Sequence, residues 1–504
     1  PPLRSRPSQP GADSLRSMPD RRRRRGVAAD AGEAGASGAA EEEATAAATP
    51  SKKRKVASRS AAAAGPEDPG LEAEEEDDDE GDEEEEEEQV CEEEDEDDEA
   101  EDDEEGDGDN GPKRVWRPGI DEIEEGEQLD VEPGTYDMLH KAQVEWPCLS
   151  FDIMRDDLGA QRTGYPMTAY VVAGTQAERQ ADNRIYVMKW SHLYRTSKDG
   201  AEEEDDESSD EESDDEHEAL LESKAVPHPG GVNRIRSMPQ ASSIVATWSD
   251  TGKVYMWNLD SQRKALDRPS EKALANPKPI HTCEAHGEEG FALDFSPHDT
   301  GRVLSGGNDG RIFLWEPVMG GWNVATSSAF QGHSAAVEDL QWKRAGSSSQ
   351  SLFASCSVDH SVRVWDVRET GRKKSAVHVP DAHTSDVNVL SWSPCVGELL
   401  LTGSDDGGFK IWDTRNVSAG PMANFAWHRK PITSVDWHPT DETVLAVASE
   451  DHCVSLWDMA VEDDNGRRED PPGADHYPAQ LLFLHQGLRD PKEVHWHPQL
   501  PSVC

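Results

Sequence analysis

The sequence predicts an all-β fold, a β-propeller of seven blades, and two observations carry that prediction. A His and a Trp recur five times along the chain, 29 residues apart in four of the pairs and 32 in the other. Successive pairs follow at 45 to 58 residues, near the period of about 45 that is typical of a propeller with four antiparallel strands in each blade. Each Trp ends a short alternating strand, as at 362–364 and 409–411, that follows a turn rich in Gly, Ser and Asp.

The segment before the repeats predicts a short helix and a first blade. Residues 136–144 are spaced as an amphipathic helix, which ends before Pro147 because proline disfavours helical geometry at the preceding residue. Strand patterns at 149–154, 168–173 and 184–190 supply three strands of blade one. The fourth strand is expected after an acidic insert at 199–218, and the five repeats supply blades two to six.

The end of the chain predicts an incomplete seventh blade. Residues 494–498 alternate like the first strand of a blade, but the second and third strands do not follow before Cys504. Because unpaired strand edges favour association, we expect that either the chain ends early or another segment completes the blade. The predicted propeller spans 113–504 and contains a second acidic loop at 462–472.

Charge separates the predicted propeller from a tail at 1–112. The chain has 104 acidic and 50 basic residues; the tail holds 39 of the acids and the insert 199–218 holds 14 more. The tail has too little apolar surface to offset the entropy of ordering, so we expect it to be disordered. The net charge of −54 repels nucleic acid and anionic membranes and attracts cationic proteins, so direct binding to nucleic acid or membrane is not expected.

Composition and motifs argue against an enzyme. The seven cysteines have no CxxC spacing, which indicates a reducing compartment and predicts no metal site. The sequence has no Gly-rich phosphate loop and no nucleophile elbow. It also lacks an apolar run near the ~18 residues that a membrane span needs. We therefore expect no catalytic residues and no cofactor.

The recurring histidines predict a structural network. An Asp lies six or seven residues before each of the five Trp residues, and repetition in five blades argues against catalysis, since a catalytic site is normally singular. Buried polar groups must be paired, so we expect each Asp to orient its His. The predicted members are His228, Asp250, Trp257, His286, Asp309, Trp315, His333, Asp359, Trp365, His383, Asp406, Trp412, His428, Asp451 and Trp457.

Short sequence matches give a resemblance to known families. The Val/Ile/Leu-Trp-Asp endings at 364–366, 411–413 and 456–458, preceded by Gly332-His333 or Ala382-His383, are similar to WD repeats. Residues 145–153, EWPCLSFDI, resemble the histone-binding WD-repeat proteins of chromatin complexes. The segments that resemble the glutamate-rich WD-repeat family more narrowly are 148–153, 173–177, 288–294, 337–342 and 353–357.

This resemblance implies a non-enzymatic chaperone in the nucleus and nucleolus. Its implied partners are basic proteins, namely a large-subunit ribosomal protein and histones, together with pre-ribosomal assembly factors. Flexible polyanions neutralise such clients without fixed geometry, and a groove on the propeller then supplies selectivity. A histone-binding subunit of a chromatin complex is an alternative function.

The resemblance to the histone-binding family also implies a client groove. In that family a client helix lies between the N-terminal helix and the loop after the sixth blade. The corresponding residues here are Tyr136, Leu139, His140 and Gln143 on one side, and Glu462, Asp463, Asp464, Glu469 and Asp470 on the other. The alternative is that the helix only covers the side of the propeller and the loop is solvated.

Three further motifs suggest targeting, modification and a rival function. Lys52, Lys53, Arg54 and Lys55 resemble a monopartite nuclear import signal. Ser208, Ser209 and Ser213 each precede an acidic residue by three positions, the pattern of an acid-directed kinase substrate, although they equally suit a charged linker. Arg368 and Arg415 stand in W-D-x-R sequences, which resemble the adaptor contacts of WD-repeat substrate receptors in cullin-based ubiquitin ligases.

Overall fold

The computed structural model describes residues 134–196, 218–369, 371–462 and 477–504. The predicted tail at 1–112, residues 199–217 of the insert and residues 463–472 of the acidic loop lie outside the described residues. Within the described ranges, no helix is long and apolar enough to cross a membrane.

The described strands form six antiparallel sheets, and each follows the chain order of its strands except that the last strand of the third sheet also pairs with the third strand of that sheet. The first sheet contains β1 (Cys148–Ile153), β2 (Met167–Thr175), β3 (Arg184–Leu193) and β4 (Leu220–Pro227). The second contains β5 (Val232–Met238), β6 (Ala241–Ser249), β7 (Val254–Asn258) and β8 (His281–Cys283). The third contains β9 (Leu293–Phe295), β10 (Val303–Gly306), β11 (Arg311–Val318), β12 (Gly321–Val324) and β13 (Phe330–Gln331).

The remaining three sheets have four strands each. The fourth contains β14 (Val337–Trp342), β15 (Leu352–Ser357), β16 (Val362–Asp366) and β17 (Val377–Val379). The fifth contains β18 (Val387–Trp392), β19 (Leu399–Ser404), β20 (Phe409–Asp413) and β21 (Ala423–Phe425). The sixth contains β22 (Ile432–Trp437), β23 (Val444–Ser449), β24 (Cys453–Asp458) and β25 (Leu481–His485).

Large aromatic side chains fill the interfaces between neighbouring sheets. Between the second and third sheets, Trp248, Phe313 and Trp315 are fully buried in one apolar cluster. Fully burying a side chain of this size contributes about 1.5–3 kcal/mol, and the repeated Trp supplies that contribution in each of the five clusters that join successive sheets. The repeat in the sequence therefore reflects the Trp side chains that pack one sheet against the next.

The prediction of an all-β propeller is confirmed, but the number of blades is wrong. The described residues form six sheets instead of seven. Residues 494–498, predicted as the first strand of a seventh blade, belong to no sheet. The physical reason is that a strand needs a neighbouring ladder, and the backbone of this segment bonds to side chains of the sixth sheet instead.

The first strand of each sheet is its inner strand: β1, β5, β9, β14, β18 and β22. Side-chain acceptors join the inner strands of neighbouring sheets. A carboxylate on one inner strand accepts a backbone N–H from the inner strand of the next sheet. The bonded positions advance together along both strands, so these strands run in the same direction. The bonds are Asp152 to Ser237 N (2.7 Å), Asp294 to Trp342 N (2.8 Å), Asp339 to Leu390 N (3.1 Å), Asp436 to Trp496 N (3.0 Å) and Glu493 to Phe151 N (2.7 Å). The inner strands therefore all begin at one mouth of a central channel and all end at the other.

The C-terminal segment links the sixth sheet to the first. Val494 and Trp496 are buried against the sixth sheet. Glu493 bonds to the first sheet and forms ion pairs with Arg234 (2.8 Å) and Arg236 (2.9 Å) of the second. The segment thus occupies an inner-strand position between β22 and β1.

The predicted helix at 136–144 is also wrong, because this segment is irregular in the structure. Its backbone groups have tertiary partners instead of the i−4 partners of a helix. Leu139 N donates to Thr196 Oγ1 at 2.9 Å, and Asp137 O accepts from Thr196 N at 2.9 Å. Met138 packs on an apolar cluster of the first sheet and the C-terminus. These contacts with the end of the first sheet replace the helical hydrogen bonds.

The one α-helix among the described residues is α1 (Asp260–Asp267), in the connection between β7 and β8. Its buried face repeats at helical spacing through Gln262, Ala265 and Leu266. The helix packs over the first sheet, where the Arg263 guanidinium lies 3.7 Å from the centre of the Tyr170 ring.

Candidate protein-interaction surfaces

A buried hydroxyl lies between the recurring His and Trp in five sheets. In the fifth sheet Thr402 Oγ1 lies 2.9 Å from His383 Nε2 and accepts the indole N–H of Trp412 at 3.0 Å. The distances in the other four sheets are similar, from 2.7 to 3.0 Å. The hydroxyls belong to Thr247, Ser305, Ser355, Thr402 and Ser455.

The hydroxyl was missed in the sequence because its position is not constant. It lies ten residues before the Trp in four sheets, a spacing that could have revealed it. In the sixth sheet Val447 holds that position, and the hydroxyl comes from Ser455, two residues before Trp457. Ser455 and Val447 are directly paired across β24 and β23, so the hydroxyl reaches the same place from the neighbouring strand.

The Asp contacts its His less uniformly than predicted. His428 Nδ1 lies 2.8 Å from Asp451, and His333 Nδ1 lies 3.1 Å from Asp359. The corresponding separation lengthens to 3.5 Å for His383 and Asp406, and to 3.8 Å for His286 and Asp309.

The second sheet departs from the predicted pairing altogether. There His228 Nδ1 donates to the carbonyl of Gly230 at 2.8 Å in place of Asp250. Burial lowers the pKa of His228 to about 4, and it lowers the pKa of His383 to about 4 as well. These two rings are therefore neutral at pH 7, as suits hydrogen-bonded groups inside a core.

One group of potential metal ligands lies in this network. His428, Asp451 and Cys453 are all buried and have ligand atoms within 4.8 Å of one another. The Cys453 thiol donates to Asp451 at 3.0 Å, and burial beside that carboxylate raises the thiol pKa. Since zinc binds the thiolate, a thiol held protonated as a donor fits a hydrogen-bond network better than a metal site.

The predicted client groove is only partly within the described residues. Tyr136 bonds through its hydroxyl to His485 Nδ1 and packs edge-on against Phe483 of β25, with ring centres 5.4 Å apart. His140 Nε2 lies 3.2 Å from the carbonyl of Tyr194. The segment 134–147 therefore bridges the outer strand of the sixth sheet and the end of the first.

The structure describes one side of the predicted groove but only the first residue of the acidic side. Gln143 is exposed, Leu139 is half-buried, and Glu462 is exposed at the start of the acidic loop. The remaining predicted acids, Asp463, Asp464, Glu469 and Asp470, lie outside the described residues, as do Lys52, Lys53, Arg54, Lys55, Ser208, Ser209 and Ser213.

The mouth where the inner strands begin carries a group of carboxylates that sequence reasoning missed. We call Glu338, Asp386 and Asp405 the acidic mouth. Glu338 makes no hydrogen bond or ion pair with another described side chain, and the charges of Asp386 and Asp405 add to burial in raising its pKa. Asp386 lies 3.4 Å from His360, and Asp405 accepts from the Asn388 amide at 2.6 Å.

Because the charges of Asp386 and Asp405 act on the half-buried Glu338, a cation bound at the acidic mouth would be stabilised. Arg234 lies deeper in the channel and lowers the pKa of Glu338, but it is paired with Glu493. These three acids are separated by 19 to 67 residues along the chain, so only the closed arrangement of the sheets reveals them as one group.

The two arginines of the W-D-x-R sequences are exposed at the ends of their strands. Arg368 forks onto Asp366, with contacts from 2.6 to 3.0 Å, and its side chain is 63 % exposed. Arg415 pairs with Asp413 in the same way and is 69 % exposed. Each guanidinium is held in a fixed orientation while one edge remains open to solvent.

Comparison with known proteins agrees with this architecture. Residues 126–194 match the family of the histone-binding protein RBBP4, which also includes a component of the CAF1 complex. The WD domain, G-beta repeat, matches at 277–316, 324–366, 374–413 and 420–458. The fold and these matches define the class as a WD-repeat propeller with an N-terminal region of the histone-binding type.

Relatives that match over most of the chain identify a family within the class of WD-repeat propellers. A glutamate-rich WD repeat-containing protein 1 of Dictyostelium discoideum is 45 % identical over 408 residues, 79 % of this chain and 83 % of the relative. The ribosome assembly protein rrb1 of Schizosaccharomyces pombe is 40 % identical over 78 % of this chain and 82 % of its own length. The protein HEAT STRESS TOLERANT DWD 1 of Arabidopsis thaliana is 42 % identical over 78 % and 88 %. The chain belongs to the family of glutamate-rich WD repeat-containing proteins.

Proposed function

We propose that this protein is a non-enzymatic nuclear and nucleolar chaperone that binds basic proteins during ribosome assembly. The client is a large-subunit ribosomal protein, and histones are a second class of client. The observation that carries the proposal is the acidic mouth, where the charges of Asp386 and Asp405 act on the half-buried Glu338 and help to raise its pKa. A Lys or Arg side chain from a client relieves that repulsion.

The electrostatics of such a site favour fast and selective capture. A channel mouth lined by one sign of charge concentrates the field and raises the rate of association with an opposite charge. Fixed carboxylates also set which residues of a basic segment enter the mouth, because mispaired like charges are costly. Free basic proteins have many unpaired cations, so a fixed acidic site combined with 104 acids in the whole chain suits a chaperone.

The groove at 136–143 is proposed as a second client contact. Tyr136 is fixed by Phe483 and His485, while Gln143 and Glu462 remain exposed and available to a partner. The match of residues 126–194 to the histone-binding family supports this position. An irregular segment serves the purpose as well as a helix, because its contacts with the sheets already fix its place.

The names of two relatives support the ribosomal client over the chromatin alternative. One relative is called a ribosome assembly protein, and another a glutamate-rich WD repeat-containing protein. The protein recovered from nuclei at moderate salt should carry a large-subunit ribosomal protein and pre-ribosomal assembly factors. Recovery of chromatin subunits with histones, and of no ribosomal protein, would contradict the ribosomal assignment.

A second candidate function is that of a substrate receptor in a cullin-based ubiquitin ligase. The exposed, Asp-oriented guanidiniums of Arg368 and Arg415 favour it, because an adaptor surface needs donors that are fixed and open to solvent. Binding of a purified ligase adaptor to the wild type, and its loss in Arg368→Ala/Arg415→Ala, tests it. Equal adaptor binding by both proteins, or none by either, would remove this function.

A further inference from the structure

The other mouth of the channel, where the inner strands end, has a different charge pattern. A cavity of about 400 Å³ opens there. It is lined by four arginines and His495 together with four aspartates. The aspartates are the side chains that accept backbone N–H groups between inner strands, so at least one oxygen of each is already engaged.

One position on this rim recurs in seven segments, the six inner strands and the C-terminal segment. The bonds between inner strands define which residues are equivalent. Each carboxylate accepts the N–H of the residue that directly follows its equivalent in the next segment. Proline fills this position in five segments, as Pro239, Pro297, Pro394, Pro439 and Pro498. The first and fourth segments have Arg155 and Arg344 there instead, and both line the cavity.

These two arginines lack the partners that the deeper arginines have. Arg234 and Arg236 contact Glu493 at 2.8 and 2.9 Å. Arg344 has only a 3.8 Å contact with Asp294, and the Arg155 side chain makes no hydrogen bond or ion pair with a described residue. Burial and the charge of Arg344 lower the pKa of Arg155 by more than the charge of Asp152 raises it, so the two cations lie close enough to repel each other.

We propose that Arg155 and Arg344 form an oxyanion-binding site for an acidic segment of a partner polypeptide. A guanidinium presents a planar fork of donors that matches a carboxylate or phosphate group. One such group between the two forks replaces their repulsion with attraction, and the five prolines keep the rim rigid around it. This inference is independent of the proposed function, because it concerns the opposite mouth and the opposite charge.

The test uses the full chain and two synthetic peptides of equal length, one rich in glutamate and one with phosphoserine at the same positions. Fluorescence anisotropy gives the affinity of each peptide for the wild type and for Arg155→Gln/Arg344→Gln. We expect the double variant to bind about a hundredfold more weakly, since each removed fork loses a charge-assisted hydrogen bond that contributes about tenfold in affinity. Whichever peptide binds the wild type more tightly identifies carboxylate or phosphate as the group recognised.

The matched control is Arg179→Gln. Arg179 is 86 % exposed beside Asp182 and lies outside the cavity lining, so its loss changes the net charge without changing the site. Arg155→Lys/Arg344→Lys keeps the charge but removes the fork, and it should recover only part of the affinity. Unchanged affinity in the double Gln variant, an equal loss in Arg179→Gln, or no binding of either peptide to the wild type would each overturn the proposal.

Discussion

Thr402→Val removes one buried hydroxyl and nearly preserves the volume of the side chain. Thr402 Oγ1 serves two buried groups, His383 Nε2 at 2.9 Å and the Trp412 indole N–H at 3.0 Å. The variant leaves both without that partner, and each buried unsatisfied group costs about 1–3 kcal/mol. We therefore expect the free energy of unfolding to fall by about 2–6 kcal/mol.

Denaturant unfolding followed by tryptophan fluorescence measures this loss. The matched control is Thr282→Val on the exposed side of β8, which should change stability by less than about 0.5 kcal/mol. Asp406→Ala should cost less than Thr402→Val, because Asp406 lies 3.5 Å from His383 and bonds mainly to exposed Thr384. An unfolding midpoint in Thr402→Val equal to that of the control would refute the structural role of the hydroxyl.

Acidification from pH 6.5 towards pH 4 should lower stability, because unfolded chains take up protons on His228 and His383 while burial holds the folded pKa of each at about 4. Urea midpoints that stay constant across this range would contradict the neutral state of these rings. Replacing all four residues of 52–55 with Ala should move a fluorescent fusion towards the cytoplasm, and full nuclear retention would mean that the import signal lies elsewhere. Charge reversal at 463–464 should weaken one client selectively, whereas deletion of 199–218 should weaken every polycation alike. Affinities measured over a salt series compare the two, and equal loss of all cationic partners in the loop variant would contradict the groove.

The strands of the propeller were predictable because each sheet repeats the same local chemistry. A buried Trp at the end of an alternating strand, such as Trp365 or Trp412, is both the sequence signal and the packing anchor. The hydroxyl that joins His to Trp was not recognised, since the sixth sheet supplies it from Ser455 on the adjacent strand. Moving the hydroxyl from β23 to β24 keeps it between the His and the Trp, but it removes the regular spacing of ten residues from the sequence.

Tertiary contacts explain why the predicted helix and the predicted strand of a seventh blade were both wrong. Residues 136–144 have a helical pattern, but Thr196 competes successfully for the backbone of Asp137 and Leu139. Residues 494–498 alternate like a strand, but their backbone bonds to side chains such as Asp436 instead of forming a ladder. In both cases the local pattern is real and the partner is distant in sequence.

The two mouths of the channel were invisible to sequence reasoning for a similar reason. Glu338 is one acid among 104, and only the parallel inner strands bring it beside Asp386 and Asp405. Arg155 and Arg344 are recognisable only once the seven rim positions have been aligned through their hydrogen bonds. Sites made from one residue per sheet require the register of the sheets, which local patterns do not supply.

The affinity of a purified basic client for an acidic-mouth variant tests the central claim most directly. The variant is Glu338→Gln/Asp386→Asn/Asp405→Asn, which keeps the side-chain shapes and the acceptor of Asn388. The control neutralises three exposed acids in connections between strands, Glu271→Gln, Glu284→Gln and Glu369→Gln. At about 0.1 M salt, binding of a core histone or a large-subunit ribosomal protein should weaken by about tenfold in the variant and remain near the wild-type value in the control. Equal affinity of the wild type and the acidic-mouth variant would contradict capture of basic clients at this mouth.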